Sequence, residues 1–145
     1  MKRVMVAGPA GAGKTSLLRA LGLLEGNVRK TEAIGFSETT VDTPGEFFDM
    51  PRFYHALITT SVKAGLVLLV ADPLRRLRRS SGFARALRAP VIGVITKLDV
   101  ARPEDVEAAR DSLKYSGVSE IYAVSSLRGD GIRELAERVR SLREG

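Results

Sequence analysis

Cysteine and tryptophan are absent from the 145 residues, and histidine occurs once, as His55. Without thiols there is no cysteine nucleophile, iron–sulfur cluster, disulfide or cysteine-built zinc site, and one imidazole cannot assemble a multi-histidine metal centre. A reducing, cytoplasmic setting is compatible with this composition. Long apolar stretches are missing too. The longest, Ala64 to Ala71, has eight residues, against about 20 for a membrane-crossing helix, and Val4 to Ala7 is too short for a secretory signal. The expectation is a soluble, unexported chain with no membrane partner. Residues 1–145 are expected to form a single domain, because a chain of this size buries roughly 68–70% of its unfolded surface and needs no covalent staple.

Acidic residues are lacking from one stretch. Residues 73–90 carry Arg75, Arg76, Arg78, Arg79, Arg85 and Arg88 and no Asp or Glu. The whole chain has 23 Lys and Arg against 17 Asp and Glu, a net charge of +6, and without those six arginines the balance is 17 against 17. One local patch holds the excess, which disfavours nucleic acid as a partner. The segment is expected as a loop plus one covering helix. It reads either as a solvated basic face or as a docking surface for an acidic protein.

Four apolar runs, Val4 to Ala7, Leu66 to Ala71, Val91 to Ile95 and Ile121 to Val124, have the length of strands buried on both faces. Helical spacing appears in Leu17, Leu18, Leu21 and Leu24; in Val106, Ala109 and Leu113; and in Ile132, Leu135, Val139 and Leu142. Pro103 with Glu104 and Asp105 suits a helix start, Gly117 a point beyond its end, and Asp130 an N-cap. Alternating strands and helices predict an α/β three-layer sandwich, a mostly parallel sheet with helices on both faces. Its ligands would bind at the carboxyl ends of the strands.

Gly8-Pro9-Ala10-Gly11-Ala12-Gly13-Lys14-Thr15-Ser16 follows the first strand and opens a helix. It matches the phosphate-binding G-x-x-x-x-G-K-[ST] loop in its required context. Glycines let backbone N–H groups curl toward phosphates, Lys14 would offset β- and γ-phosphate charge, and Thr15 would place its hydroxyl on Mg²⁺. Thr39 to Asp42 reads as a strand leading into Asp42-Thr43-Pro44-Gly45. Asp42 would hold Mg²⁺ through water, and the Gly45 N–H would meet the γ-phosphate. Thr31 is a candidate to close over the metal. Only ten residues separate it from Asp42, so any intervening hairpin is abbreviated.

Thr96-Lys97-Leu98-Asp99 follows the Val91 to Ile95 strand and resembles the [NT]-K-x-D base-recognition motif of guanine-nucleotide proteins. The Asp99 carboxylate can accept from guanine N1–H and the 2-amino group, and adenine offers neither donor on that edge. Ser125 and Ser126, after the last strand, sit where a backbone loop would meet the base.

Taken together, G-P-A-G-A-G-K-T-S, K-T-E-A, V-D-T-P-G-E, P-R-F-Y-H-A-L, V-I-G-V-I-T-K-L-D and S-S-L-R-G-D-G-I resemble the EutP/PduV family of bacterial ethanolamine- and propanediol-utilisation proteins. The resemblance covers essentially the whole chain. It implies a P-loop protein of the small-GTPase type that binds a purine nucleoside triphosphate with Mg²⁺ and is linked to catabolic microcompartments. A shell protein or enzyme would then be the partner. The family has also been credited with acetate kinase activity.

Two chemistries stay open on the residues. Ras-like GTPases often place Gln after D-x-x-G; here Glu46 would add repulsion near the γ-phosphate and slow unassisted hydrolysis. Acetate needs no general base, only cations to offset charge, and Lys14, Mg²⁺ and Arg52 could supply them. Tyr54 and His55 read as packing or surface. Asp99 favours GTP, whereas an acetate kinase would be expected to use ATP. A third possibility is a docking module gated by its nucleotide state.

Overall fold

A computed structural model of the chain describes residues 4–8, 11–22, 38–42, 64–74, 83–87 and 89–144. Five strands form one sheet: β1 (Val4–Gly8), β2 (Glu38–Asp42), β3 (Leu66–Ala71), β4 (Val91–Ile95) and β5 (Glu120–Ala123). Their order is β2-β1-β3-β4-β5, and every pair is parallel. Among the described residues three α-helices accompany them, α1 (Lys14–Ala20), α2 (Pro103–Tyr115) and α3 (Ile132–Glu144), with one 3-10 turn at Phe83–Ala86.

β1, β3 and β4 read as unbroken apolar runs because both of their faces are covered. On one face Val4, Val6, Leu66, Leu68, Val70, Ile92 and Val94 pack with Leu17 and Leu18 of α1 and Leu135 and Val139 of α3. On the other, Met5, Ala7, Val67, Leu69, Ala71 and Ile95 pack with Leu113 of α2 and with Ala84 and Leu87 at the 3-10 turn. The period of two along each strand thus divides its residues between two cores. This is the expected three-layer α/β sandwich with helices on both faces.

Helix α2 has the bounds its punctuation predicts. Pro103 supplies a fixed φ at the first turn, the Asp105 carboxylate accepts the Arg102 backbone N–H at 3.3 Å, and Gly117 lies beyond the end with φ 106°. Helix α3 departs from expectation. It begins at Ile132 rather than directly after Asp130, because Gly131 turns the chain first with φ 71°. A Cβ on Gly131 would meet the Ala123 carbonyl oxygen at 2.5 Å, so only glycine fits there. The Asp130 carboxylate pairs with Arg128 instead. Of the segment rich in arginine, residues 73–74, 83–87 and 89–90 are described and include a 3-10 turn at Phe83–Ala86; Arg75, Arg76, Arg78, Arg79 and Arg88, and with them most of the stretch where a covering helix is expected, lie outside the described residues. So do Leu24 and residues 23–37, where the abbreviated hairpin is expected. Among the described residues, no helix is long and apolar enough to cross a membrane.

At the β5 edge, Arg138 of α3 clamps Glu120 through Nε at 2.7 Å and Nη2 at 3.2 Å, and the Tyr122 hydroxyl donates to the same carboxylate at 2.9 Å. The Arg138 hydrogen bonds hold the Glu120 carboxyl below its ordinary value, against an opposing effect of burial. Burial, followed by the adjacent carboxylate, raises the Tyr122 phenol. A depressed carboxyl favours folding above its unfolded value and loses that contribution as pH falls. Glu120→Gln should therefore lower Tm slightly at pH 7, with the difference from the unaltered protein declining as pH falls past about 4.5, the ordinary value, gone once the pH is below the lowered folded value, and shrinking in salt. Thermal melts across pH check this; an equal Tm difference at pH 7 and pH 3 would remove the ion pair from the explanation.

Candidate nucleotide site

Parallel strands finish at one edge of the sheet, and there the chemistry-bearing residues gather. Register places Asp42, last in β2, opposite Gly8, last in β1. The residues just past β3, β4 and β5 (Asp72, Thr96 and Ser125) line up along the same edge.

The phosphate loop wraps the start of α1. Gly13, the N-cap, has φ 95° and ψ 24°, a left-handed turn at little cost for glycine. Lys14 is almost fully buried, and its ammonium donates to the Gly8 carbonyl at 2.8 Å across the loop. Thr15 is half-buried and Ser16 exposed. Pro9, Ala10, Thr31, Gly45, Glu46, Arg52, Tyr54 and His55 lie outside the described residues, and for Asp42 the backbone alone is placed.

Beside this loop Thr96, 3% exposed, acts as a fastener. Its hydroxyl donates to the Ala12 carbonyl at 2.6 Å, with the Ala71 carbonyl at 3.4 Å, and its N–H donates to Ala71 at 3.1 Å. The first residue of T-K-L-D thus ties the phosphate loop to the ends of β3 and β4. A hydroxyl suffices for that bond, which accounts for threonine where asparagine is commoner.

Asp99 is oriented from the other side. The fully buried Ser125 hydroxyl donates to Asp99 Oδ1 at 2.9 Å and accepts the Arg128 N–H at 3.0 Å. The backbone supports the arrangement: Leu98 N–H donates to Val124 O at 3.0 Å, Ser125 N–H to Asp130 O at 2.9 Å, and Gly129 N–H to Ser125 O at 2.7 Å. Ser126 is half-buried next to this turn. Ser125 therefore serves the loop through its side chain rather than through its backbone alone.

Asp72 belongs to the same edge and was not foreseen. It is 2% exposed, and its Oδ2 accepts from Lys97 Nζ at 2.8 Å. An aspartate after an apolar run reads as an ordinary turn residue. The signal for it was topological: β3 and β4 are neighbours in a parallel sheet, so residues just past their ends meet.

Comparison with known proteins follows this geometry. Residues 1–141 match the family model PduV-EutP, described as ethanolamine utilisation - propanediol utilisation. The chain belongs to this family. Propanediol utilization protein PduV of Citrobacter freundii is 35% identical over 93% of this chain and 91% of its own length. A relative in Escherichia coli (strain K12) named Probable acetate kinase EutP is 37% identical over 98% of this chain and 91% of its own. Among solved structures, a probable GTP-binding protein engB superposes with a TM-score of 0.65 at 18% identity, covering 98% of each chain. Era of Aquifex aeolicus bound to GDP·AlF4⁻ gives 0.62 at 21% identity over 98% of this chain and 56% of that one. The fold is thus that of small P-loop GTPases. This member of the PduV-EutP family carries that fold's phosphate-loop motif from Gly8 to Thr15.

The fastening by Thr96 has a measurable weight. Thr96→Val removes the donor to the buried Ala12 carbonyl and should cost about 1–3 kcal/mol, lowering Tm by roughly 3–10 °C, while Thr96→Ser stays within about 2 °C of the original. A loss in Thr96→Ser with Thr96→Val unchanged would assign the effect to the threonine methyl instead of the hydroxyl.

Proposed function

We propose that the chain binds a guanine nucleotide with Mg²⁺ and acts slowly on its γ-phosphate, as a nucleotide-state protein of ethanolamine or propanediol utilisation. The observation that carries the reading is the Asp99 carboxylate, held by Ser125 Oγ at 2.9 Å on a loop that Thr96 fastens to the phosphate loop. A fixed acceptor pair matches the N1–H and 2-amino donors of guanine and finds no such donors on adenine.

The residues present fit the nucleotide and its metal. A buried ammonium at Lys14 within a loop of left-handed glycines suits phosphate oxygens. Thr15 at the start of α1 and Asp42 at the end of β2 are the oxygen donors that Mg²⁺ takes alongside phosphates and water. Bound there, Mg²⁺ would offset charge on the β- and γ-phosphates. Lys14 would neutralise the same phosphates, and the sequence pattern offers the Gly45 N–H for the γ-phosphate and Thr31 to close over the metal. Glu46 in place of a water-orienting Gln would keep hydrolysis slow, and Arg52 would serve as a further cation beside the γ-phosphate if acetate were the acceptor. Lys97, Ser125 and Ser126 border the base. The acid-free segment Arg75 to Arg88 would receive an acidic protein partner in a nucleotide- and salt-dependent way.

The name carried by the Escherichia coli relative would instead require transfer of phosphate to acetate. Titration of GDP beside ADP decides the base. At least a tenfold preference for GDP, about 1.4 kcal/mol, is expected, Lys14→Ala should abolish triphosphate binding, and the reverse preference would overturn the guanine reading. Phosphate should leave GTP without any acceptor, and faster in Glu46→Gln; release that requires acetate would favour the kinase.

A further inference from the structure

Asp72 is a buried acid with both oxygens engaged. Its side chain is 1% exposed; Oδ2 accepts from Lys97 Nζ at 2.8 Å and Oδ1 accepts the Leu74 N–H at 2.9 Å. A carboxylate sealed from water persists when charge and lone pairs are both matched, as here. Both oxygens are committed to partners within the protein. It acts on Lys97.

Lys97 is constrained at both ends. Its φ of 59° makes it the one non-glycine residue with a positive φ among the described residues, a conformation that persists where the surroundings impose it. Its carbonyl accepts the N–H groups of Val100 at 3.1 Å and Ala101 at 3.0 Å. The residue before it, Thr96, is fastened to the phosphate loop, and Asp99, two residues on, is fastened to Ser125. Asp72 supplies the remaining anchor by pinning the tip of the side chain between these two.

We propose that Asp72 is a positioning residue of the base site. By pinning the Lys97 ammonium it holds the four-carbon stem as a fixed apolar surface next to Asp99, and it prevents this cation from competing for that carboxylate. Asp99 reads the edge of a purine, but a flat ring also gains from a rigid apolar neighbour that loses no rotamer freedom on binding. The ion pair therefore contributes to holding the nucleoside half of the ligand and not the phosphate half, which belongs to Lys14 and its loop. This rests on the nucleotide reading, with Asp99 at the base.

Calorimetric titration with GDP, ADP and inorganic tripolyphosphate tests the assignment. Asp72→Asn keeps an acceptor for the Leu74 N–H and removes the charge. It should weaken the preferred nucleoside diphosphate about tenfold while tripolyphosphate changes less than about twofold. Asp72→Asn combined with Lys97→Met should bind no more weakly than Lys97→Met alone, because the two act as one unit. Equal losses for nucleotide and tripolyphosphate would reduce Asp72 to a general structural role, and unchanged nucleotide affinity or additive losses would likewise overturn the proposal. If Asp72→Asn does not fold, the Lys97 ammonium can be followed by ¹⁵N NMR in the unaltered protein. It should stay hydrogen-bonded to Asp72 with GDP bound, and its release on binding would contradict the proposal. Preference of the unaltered protein for ADP would count against the guanine reading alone, since the Asp72 comparison is then made with ADP.

Discussion

The Thr96 hydroxyl lies 2.6 Å from the carbonyl of Ala12, a residue 84 positions earlier in the chain, and the geometry of the site depends on that bond. The phosphate loop follows β1 and the base loop follows β4, with β3 between them in the sheet. Strand pairing alone sets their spacing to within the slack of two connecting loops. A buried hydroxyl donor shared by the Ala12 and Ala71 carbonyls removes that slack. Breaking it would leave polar groups unpaired in a region water does not reach. One side chain thereby joins the phosphate loop and the T-K-L-D loop into a single edge, the one on which the proposed function places phosphate and base.

Around this fastener the remaining polar side chains work in pairs that each join two loops. Asp72 and Lys97 connect the loop after β3 to the loop after β4, and Ser125 and Asp99 connect the loop after β5 to the same one. The loop after β4 thus receives an anchor from every neighbour. A ligand binding there meets groups already ordered, so less of its interaction energy goes into fixing them. The charged pair at the far edge, Glu120 with Arg138, is half-buried and joins β5 to α3.

Much of this was legible in the sequence, for physical reasons. Strands buried on both faces must be apolar throughout, so β1, β3 and β4 stood out as runs. Helix α2 was readable at both ends because Pro103, Asp105 and Gly117 each act within one turn of their own position. The G-x-x-x-x-G-K-T loop and T-K-L-D marked the candidate site in the sequence because each is a short local pattern whose residue types suit phosphates and a guanine edge. What escaped depends on contacts across the chain. Asp72 gains its meaning from a partner 25 residues on. Thr96 gains its own from a loop that only the strand order brings alongside, and Asp130 lost its expected capping place to the turn that Gly131 makes. The membership of the PduV-EutP family, resting on residues 1–141, accords with the motif set read from the chain.

The central claim is that the phosphate loop and the base loop behave as one unit through Thr96. Amide hydrogen exchange measured by NMR with inorganic pyrophosphate, which has no base, tests it most directly. The account predicts that pyrophosphate slows exchange at Gly13 and Lys14 and also at Leu98 and Ser125. Protection confined to the phosphate loop, with Leu98 and Ser125 unchanged, would contradict it.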